Sequence, residues 1–252
     1  MAHFLDLSLG IPFKNSAPFL PDLFSSLEGQ SQLPGEILFV DDRSNDESGQ
    51  LVEKFARRHP DWNITIYRNR QALGIAGTYN RVVKLSALNW IQILDADDYL
   101  LGNYYETLAY FLQPDFAGIV TAVRSNARII NMANTLLGWL IPQRLPHWLP
   151  VLGSFATRSG IIYAQKHLKK FKFLDPAFDG SDILHLIQLR MKGNFAYINK
   201  ACVFYRVHAL SATSQSAADA QYLRLLRQKQ HVGRIYFVDY YLRKKVFRYF
   251  RN

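Results

Sequence analysis

In the first 125 residues, strand-like apolar runs alternate with stretches of helical length, and few folds accept that order. The runs are FLDLSLGIPF, EILFVDD, NITIYRN, WIQILD and AGIVTAV. Between them lie helix-like segments at 17–30, 47–58, 75–88 and 103–112, with Pro34–Gly35, Pro60 and Pro114 as breakers in the loops. Strand–helix alternation builds βαβ units, and these build a mostly parallel sheet flanked by helices. In an open sheet of that kind, ligands bind outside the carboxyl ends of the strands. The site is therefore sought where the runs end.

Two of them end in acid. EILFVDD finishes on Asp41 and Asp42, and WIQILDADDYL runs from buried-strand residues into Asp95, Asp97 and Asp98. Carboxylates roughly 5 Å apart at an effective dielectric near 20 repel by about 3 kcal/mol per pair. Either one of them takes a proton or a cation sits between them. If both strands are parallel, the two acidic ends face one crevice. The segment after the first strand, GIPFKN, is neither a G-x-G-x-x-G fingerprint nor a G-x-x-x-x-G-K-[ST] loop, so no glycine-rich phosphate cradle is expected. A phosphate-bearing ligand would depend on a divalent cation.

Bulk properties narrow the class. A hydrophobic content of 49% and a charged content of 20% belong to a globular chain. The lone Cys202 excludes an internal disulfide and a cysteine-based zinc site, and fits a reducing compartment. MAHFLDLSLGIPF has no basic n-region and is broken by Asp6 and Pro12, so it reads as a first strand and not a signal peptide. No run of 18 apolar residues exists, and no transmembrane helix is expected. The net charge of +10 is concentrated in the tail. Residues 221–252 hold nine Lys or Arg against Asp239, +8, and the rest of the chain carries only +2. A nucleic-acid-binding face would draw on the body as well, so no nucleic-acid partner is expected.

Further along, 126–180 reads as irregular and rich in Pro, Trp and Gly. FDGSDILHLIQLRMKGN reads as a helix with Ser181 as N-cap and Gly193 as stop, and FAYINKACVFYRVH as an extended segment. In the tail, Ile235, Val238, Leu242, Val246 and Tyr249 share one helical face, with Lys244, Arg248 and Arg251 opposite. Such a helix either lies on an anionic membrane surface or packs its apolar stripe on the body.

Five landmarks in order resemble the inverting glycosyltransferases of family 2, which have the GT-A fold. LSLGIPFKN is similar to the family's V-S-V-I-I-P-x-x-N, and ILFVDDRSNDES to I-x-V-V-D-D-G-S-x-D-x-T. NRQALGIAGTYNRV is similar to N-x-G…A-R-N-x-G, and ILDADDYL to D-x-D-D. FDGSDILHLIQLRMKGN followed by YRVHALSAT resembles the E-D helix and the Y-R-x-H-x-x-S end of the catalytic domain. The resemblance covers about Leu7 to Ser214. It implies an α/β GT-A catalytic domain at 1–216, with a nucleotide-sugar half at 1–125 and an acceptor half at 126–216, followed by a basic amphipathic helical tail at 217–252.

The resemblance also implies roles. Asp97 is a metal ligand, with Asp95 beside it near ribose or metal and His208 near the diphosphate or the metal; the ion is Mn²⁺ or Mg²⁺. Asp98 supports the loop. Asp42 reads the nucleobase with Asp41 as its neighbour, and Pro12 and Asn80 belong to the nucleotide site. Asp182 is the general base. A carboxylate at 42 suits the imide of uracil, so a UDP-sugar donor is expected, with a glycan or lipid-linked acceptor. Locally, D-D-R-S-N-D also reads as a turn and cap, with Ser44 and Asp46 suited to capping. Asp182 also reads as a first-turn acid favoured by the helix dipole. Arg206 divides between phosphate contact and structural pairing. Three positions depart from the pattern: Arg43 replaces Gly, Tyr79 replaces Arg, and Ser181 replaces Glu. A cytoplasmic location, peripheral at the membrane through 221–252, completes the expectation. The competing readings are a sugar-phosphate nucleotidyltransferase, whose basic glycine-rich loop is missing here, and a catalytically silent interaction module.

Overall fold

The computed structural model describes residues 3–112, 122–140, 158–168 and 195–208. The chain begins with β1 (His3–Phe13), α1 (Leu20–Glu28), β2 (Gln32–Asp41), α2 (Ser48–Arg58), β3 (Ile64–Arg68), α3 (Gly74–Leu85) and β4 (Trp90–Ile93). The two-residue β5 (Tyr99–Leu100) and α4 (Tyr104–Leu108) follow, and α4 tightens into a 3₁₀ turn at Ala109–Leu112. The second half contributes β6 (Ala122–Ile130), β7 (Leu136–Leu140), β8 (Ile161–Ala164), α5 (Gln165–Leu168) and β9 (Phe195–Arg206). The strands form one sheet in the order β3-β2-β1-β4-β8-β6-β9-β5, with β7 paired to β6.

Neighbours from β3 to β4 are all parallel, as the alternation predicts. Beyond β4 the sheet turns mixed. β8 is antiparallel to both β4 and β6, β6 and β9 are parallel, and β5 and β7 are antiparallel to their partners. The sheet is thus mostly parallel in strand direction. The reading of 126–180 as irregular is corrected: its described portion supplies most of β6 and all of β7, β8 and α5. All four residues of β8 are buried, so no polar alternation marks it as a strand. The helix expected at 181–193 and the basic tail lie outside the described residues.

Helices cover both faces. On one side, α1 buries Leu20, Leu23, Phe24 and Leu27 at helical spacing, with a proline in its first turn and Gly29 at its end. Phe24 stacks on Phe55 of α2 with centroids 4.2 Å apart, over Leu7, Leu9 and Ile11 of β1. On the other side, α3 lays Tyr79, Val82 and Val83 against Val40, Ile91 and Ile93. Gly10 sets the height of that packing: a Cβ there would stand 2.0 Å from Val82 Cγ1. Only glycine admits α3 so close. Among the described residues no helix is long and apolar enough to cross a membrane.

Candidate active site

Asp41 closes β2, and its neighbour Asp42 starts the loop that follows. Both are buried. Asp41 accepts the Ser44 N–H at 2.7 Å and pairs with Arg68 Nε at 3.3 Å. Asp42 accepts from Asn69 Nδ2 at 2.6 Å, Leu73 N–H at 2.7 Å and Gly74 N–H at 3.0 Å. Its carboxylate therefore grips the start of α3, where two backbone N–H groups lack helical acceptors. Burial pushes its pKa up, but the bonds from Leu73, Asn69, Thr78 and Gly74 outweigh burial and hold it below the ordinary value. Asp46 accepts Ser48 N–H at 3.0 Å and Ala17 N–H at 3.2 Å, joining the first turn of α2 to the loop after β1. Arg43 is exposed at φ +66°, which explains why glycine is common at this position in the family pattern.

Across β1, the end of β4 is a different kind of acidic site. A tight turn, with Asp98 N–H donating to Asp95 O at 3.0 Å, folds three carboxylates together. One ligand oxygen from each of Asp95, Asp97 and Asp98 lies within 4.8 Å of the others. Asp98 is 1% exposed. It accepts the Arg206 backbone N–H at 3.0 Å and the Ser159 hydroxyl at 2.6 Å, and that same Ser159 oxygen accepts Asp95 N–H at 3.1 Å. Burial first, then the charges of Asp97 and Asp95, push the Asp98 pKa well above the carboxylate range.

Asp95 and Asp97 stay at the mouth. Tyr79 of α3 donates its hydroxyl to Asp95. The Tyr79 pKa is pushed far up, chiefly by burial and further by Asp95 against the opposing Arg158 charge, so the phenol remains a donor. His208 Nε2 is 2.9 Å from Asp97 Oδ2, and its ring lies 4.9 Å from that of Phe19. A hard divalent ion fits this donor set: Asp95 and Asp97 offer oxygens at the mouth, and His208 offers a nitrogen beside them. Asp98, with both oxygens engaged by protein donors, is the brace beneath.

The structure brings Asp95, Asp97, Asp98 and His208 into one cluster, with Asp41 and Asp42 two strands away at the same edge of the sheet. Pro12 lies buried on β1 between the two ends, and Asn80 is half-buried on α3 next to Tyr79. Asp182 and Ser181 lie outside the described residues. Arg206 is committed to structural pairing. It is 2% exposed, bonded to Asp22 at 2.7 Å and to the Asp97 carbonyl at 3.0 Å. Sequence reasoning missed Ser159 and Arg158, which reach the cluster from the 3₁₀ turn before β8. A Ser and an Arg in a proline- and glycine-rich stretch carry no local signal of that role. It also missed Asp22, whose partner lies 184 positions away.

Comparison with known proteins finds glycosyltransferases. An uncharacterized glycosyltransferase from Nostoc is 25% identical over 236 residues, covering 86% of this chain and 71% of that protein. A processive diacylglycerol beta-glycosyltransferase of Mycoplasma genitalium is 30% identical over 92 residues, 36% of this chain and 27% of its own length. Among solved structures, Staphylococcus aureus TarS residues 1–349 in complex with UDP-GlcNAc superposes with a TM-score of 0.68 at 18% identity, covering 88% of this chain and 64% of that one. The mannosyltransferase PcManGT of Pyrobaculum calidifontis, in complex with GDP-Man and Mn²⁺, does so at 0.59 and 18%, covering 89% and 61%. These likenesses establish the GT-A fold. The Glycosyl transferase family 2 profile matches residues 8–170, more than half of the sequence, and the chain belongs to that family.

Proposed function

We propose that the chain is a metal-dependent, inverting glycosyltransferase that moves a sugar from a nucleoside-diphosphate sugar, a UDP-sugar foremost, to a saccharide or lipid-linked saccharide acceptor, as in cell-surface polysaccharide synthesis. The observation that carries this reading is the carboxylate cluster at the end of β4, facing the same edge as the acidic end of β2. Mn²⁺ or Mg²⁺ would be held by Asp97 and Asp95 with His208 alongside. When bound, such an ion neutralises charge on a departing diphosphate.

The protein's own groups do the rest. Tyr79 and Ser159 fix the orientation of Asp95 and its loop, and Arg206 and Asp98 fix the position of Asp97. By the family pattern, Asp42 reads an imide N–H of the nucleobase, with acceptor capacity left over beside the three protein donors it already serves. Asp182, by the family pattern, removes the acceptor proton as the hydroxyl attacks the face opposite the leaving group. Solved neighbours bind UDP-GlcNAc, or GDP-Man with Mn²⁺, which supports a nucleotide-sugar donor.

The test is release of nucleoside diphosphate from a panel of nucleotide sugars, with and without Mn²⁺. Metal-dependent release is expected, and its absence across the panel overturns the reading. The membrane role of 221–252 is tested by flotation with anionic liposomes. Binding is expected to fall on removal of 221–252, and equal binding with and without those residues rejects the surface role.

A further inference from the structure

We propose that Arg158 is the cation that holds the diphosphate of the donor, supplied from the turn before β8 in place of the arginine that α3 lacks at position 79. This rests on the donor reading above and deepens it. The chain has Tyr79 where arginine is common in the family pattern. The structure sets a guanidinium directly on that tyrosine, with Arg158 Cζ 4.4 Å from the centroid of the Tyr79 ring. Arg158 Nη1 is 4.0 Å from Asp95 Oδ1, the outer limit of an ion pair, and the side chain keeps 19% of its surface exposed.

Three elements distant in sequence converge to hold it there. Tyr79 comes from α3, Asp95 from the end of β4, and Arg158 from the Arg158–Gly160 turn. Because β8 runs antiparallel to β4, with Ile162 opposite Gln92, this turn falls at the carboxyl end of β4. Ser159, the next residue, is tied to both Asp95 N–H and Asp98, so the turn cannot drift from the acidic cluster.

Charge explains the need. A divalent ion held by carboxylates would share its charge between them and the diphosphate, and a guanidinium beside Asp95 would add to that neutralisation. A guanidinium held over an aromatic ring keeps a planar fork of N–H donors, a shape suited to phosphate oxygens.

The test is calorimetric titration of the full chain with UDP and GDP in the presence of Mn²⁺, alongside uridine and guanosine. Arg158→Gln is expected to weaken the bound nucleoside diphosphate about ten- to a hundredfold while leaving the matching nucleoside unchanged. Tyr79→Arg combined with Arg158→Gln is expected to recover most of that loss, because the charge returns to the same place from α3. Unchanged diphosphate affinity in Arg158→Gln overturns the proposal, as does equal weakening of diphosphate and nucleoside, the mark of a structural role. Should Arg158→Gln fail to fold, Arg158→Lys decides. It keeps the charge and loses the fork, so diphosphate affinity should drop several-fold at constant nucleoside affinity, and no change in either overturns the proposal. A wild-type chain that binds neither diphosphate removes the donor reading itself, whereas wild-type binding with an indifferent Arg158 removes this inference alone.

Discussion

The carboxyl ends of β2 and β4 both gather acids, and they relieve the repulsion in opposite ways. At β2 every carboxylate is answered by protein donors: Asp41 by Ser44 and Arg68, and Asp42 by Asn69, Leu73 and Gly74. The pKa of Asp42 accordingly falls. At β4 three carboxylates crowd one another, and that of Asp98 rises well above its ordinary range. The first end has its charge answered by protein donors as folded, and it braces a loop. The second brings three carboxylates within 4.8 Å of one another, a grouping that could hold a cation. Acidic residues at a strand end are thus not one signal but two, separated by whether backbone donors converge on them.

The largest test of this contrast is Asp97→Ala. Metal-dependent nucleoside-diphosphate release should drop on the order of a thousandfold, the scale of several kcal/mol of lost charge stabilisation. The unfolding midpoint should hold or rise, since a repelling charge is removed. A large fall in stability would place Asp97 with the braced acids and break the comparison.

Asp42→Ala should show the reverse, with stability down by about 2–3 kcal/mol in urea unfolding as its buried donors lose their acceptor. A group with a lowered folded pKa contributes stability above its unfolded pKa and loses it as pH falls through the folded one. The deficit of Asp42→Ala should therefore be full at neutral pH and shrink below about pH 4. A deficit independent of pH would mean that packing, not the carboxylate, is responsible.

Asp98→Asn should behave oppositely again. Its raised folded pKa means the folded chain loses stability as pH climbs above the unfolded value. The amide variant should thus be more stable than wild type at neutral pH, with the gain vanishing near pH 4. The smallest effect belongs to Arg43→Gly, which relieves a left-handed backbone residue and should add about 0.5–1 kcal/mol in the same unfolding assay. Destabilisation there would show that the Arg43 side chain contributes to the loop.

The architecture beneath this contrast is legible in the sequence in part, and the reasons differ by residue. The βαβ order, and with it the common edge of Asp41 and Asp95, follows from apolar runs long enough to show their period. The family pattern makes Asp98 a support for its loop, and its oxygens accept from Arg206 and Ser159. The strands after β4 were not legible, since β8 is short and buried throughout and offers no alternation to read. The partners of Asp42 are backbone N–H groups 31 and 32 positions away, and backbone groups leave no trace in residue type. Tyr79 was visible only as a departure from the family pattern; its partner Arg158 comes from a segment whose placement depends on the mixed half of the sheet.

Helix α3 is seated like an instrument on a three-footed mount. Its leading turn rests in the grip of Asp42, Val82 beds into the hollow left by Gly10, and Tyr79 reaches Asp95. Three feet leave a rigid rod no axis about which to rock. Any tilt that loosens it from one strand end must therefore register at the other, so the two acidic ends are held to a common level by the helix that spans them.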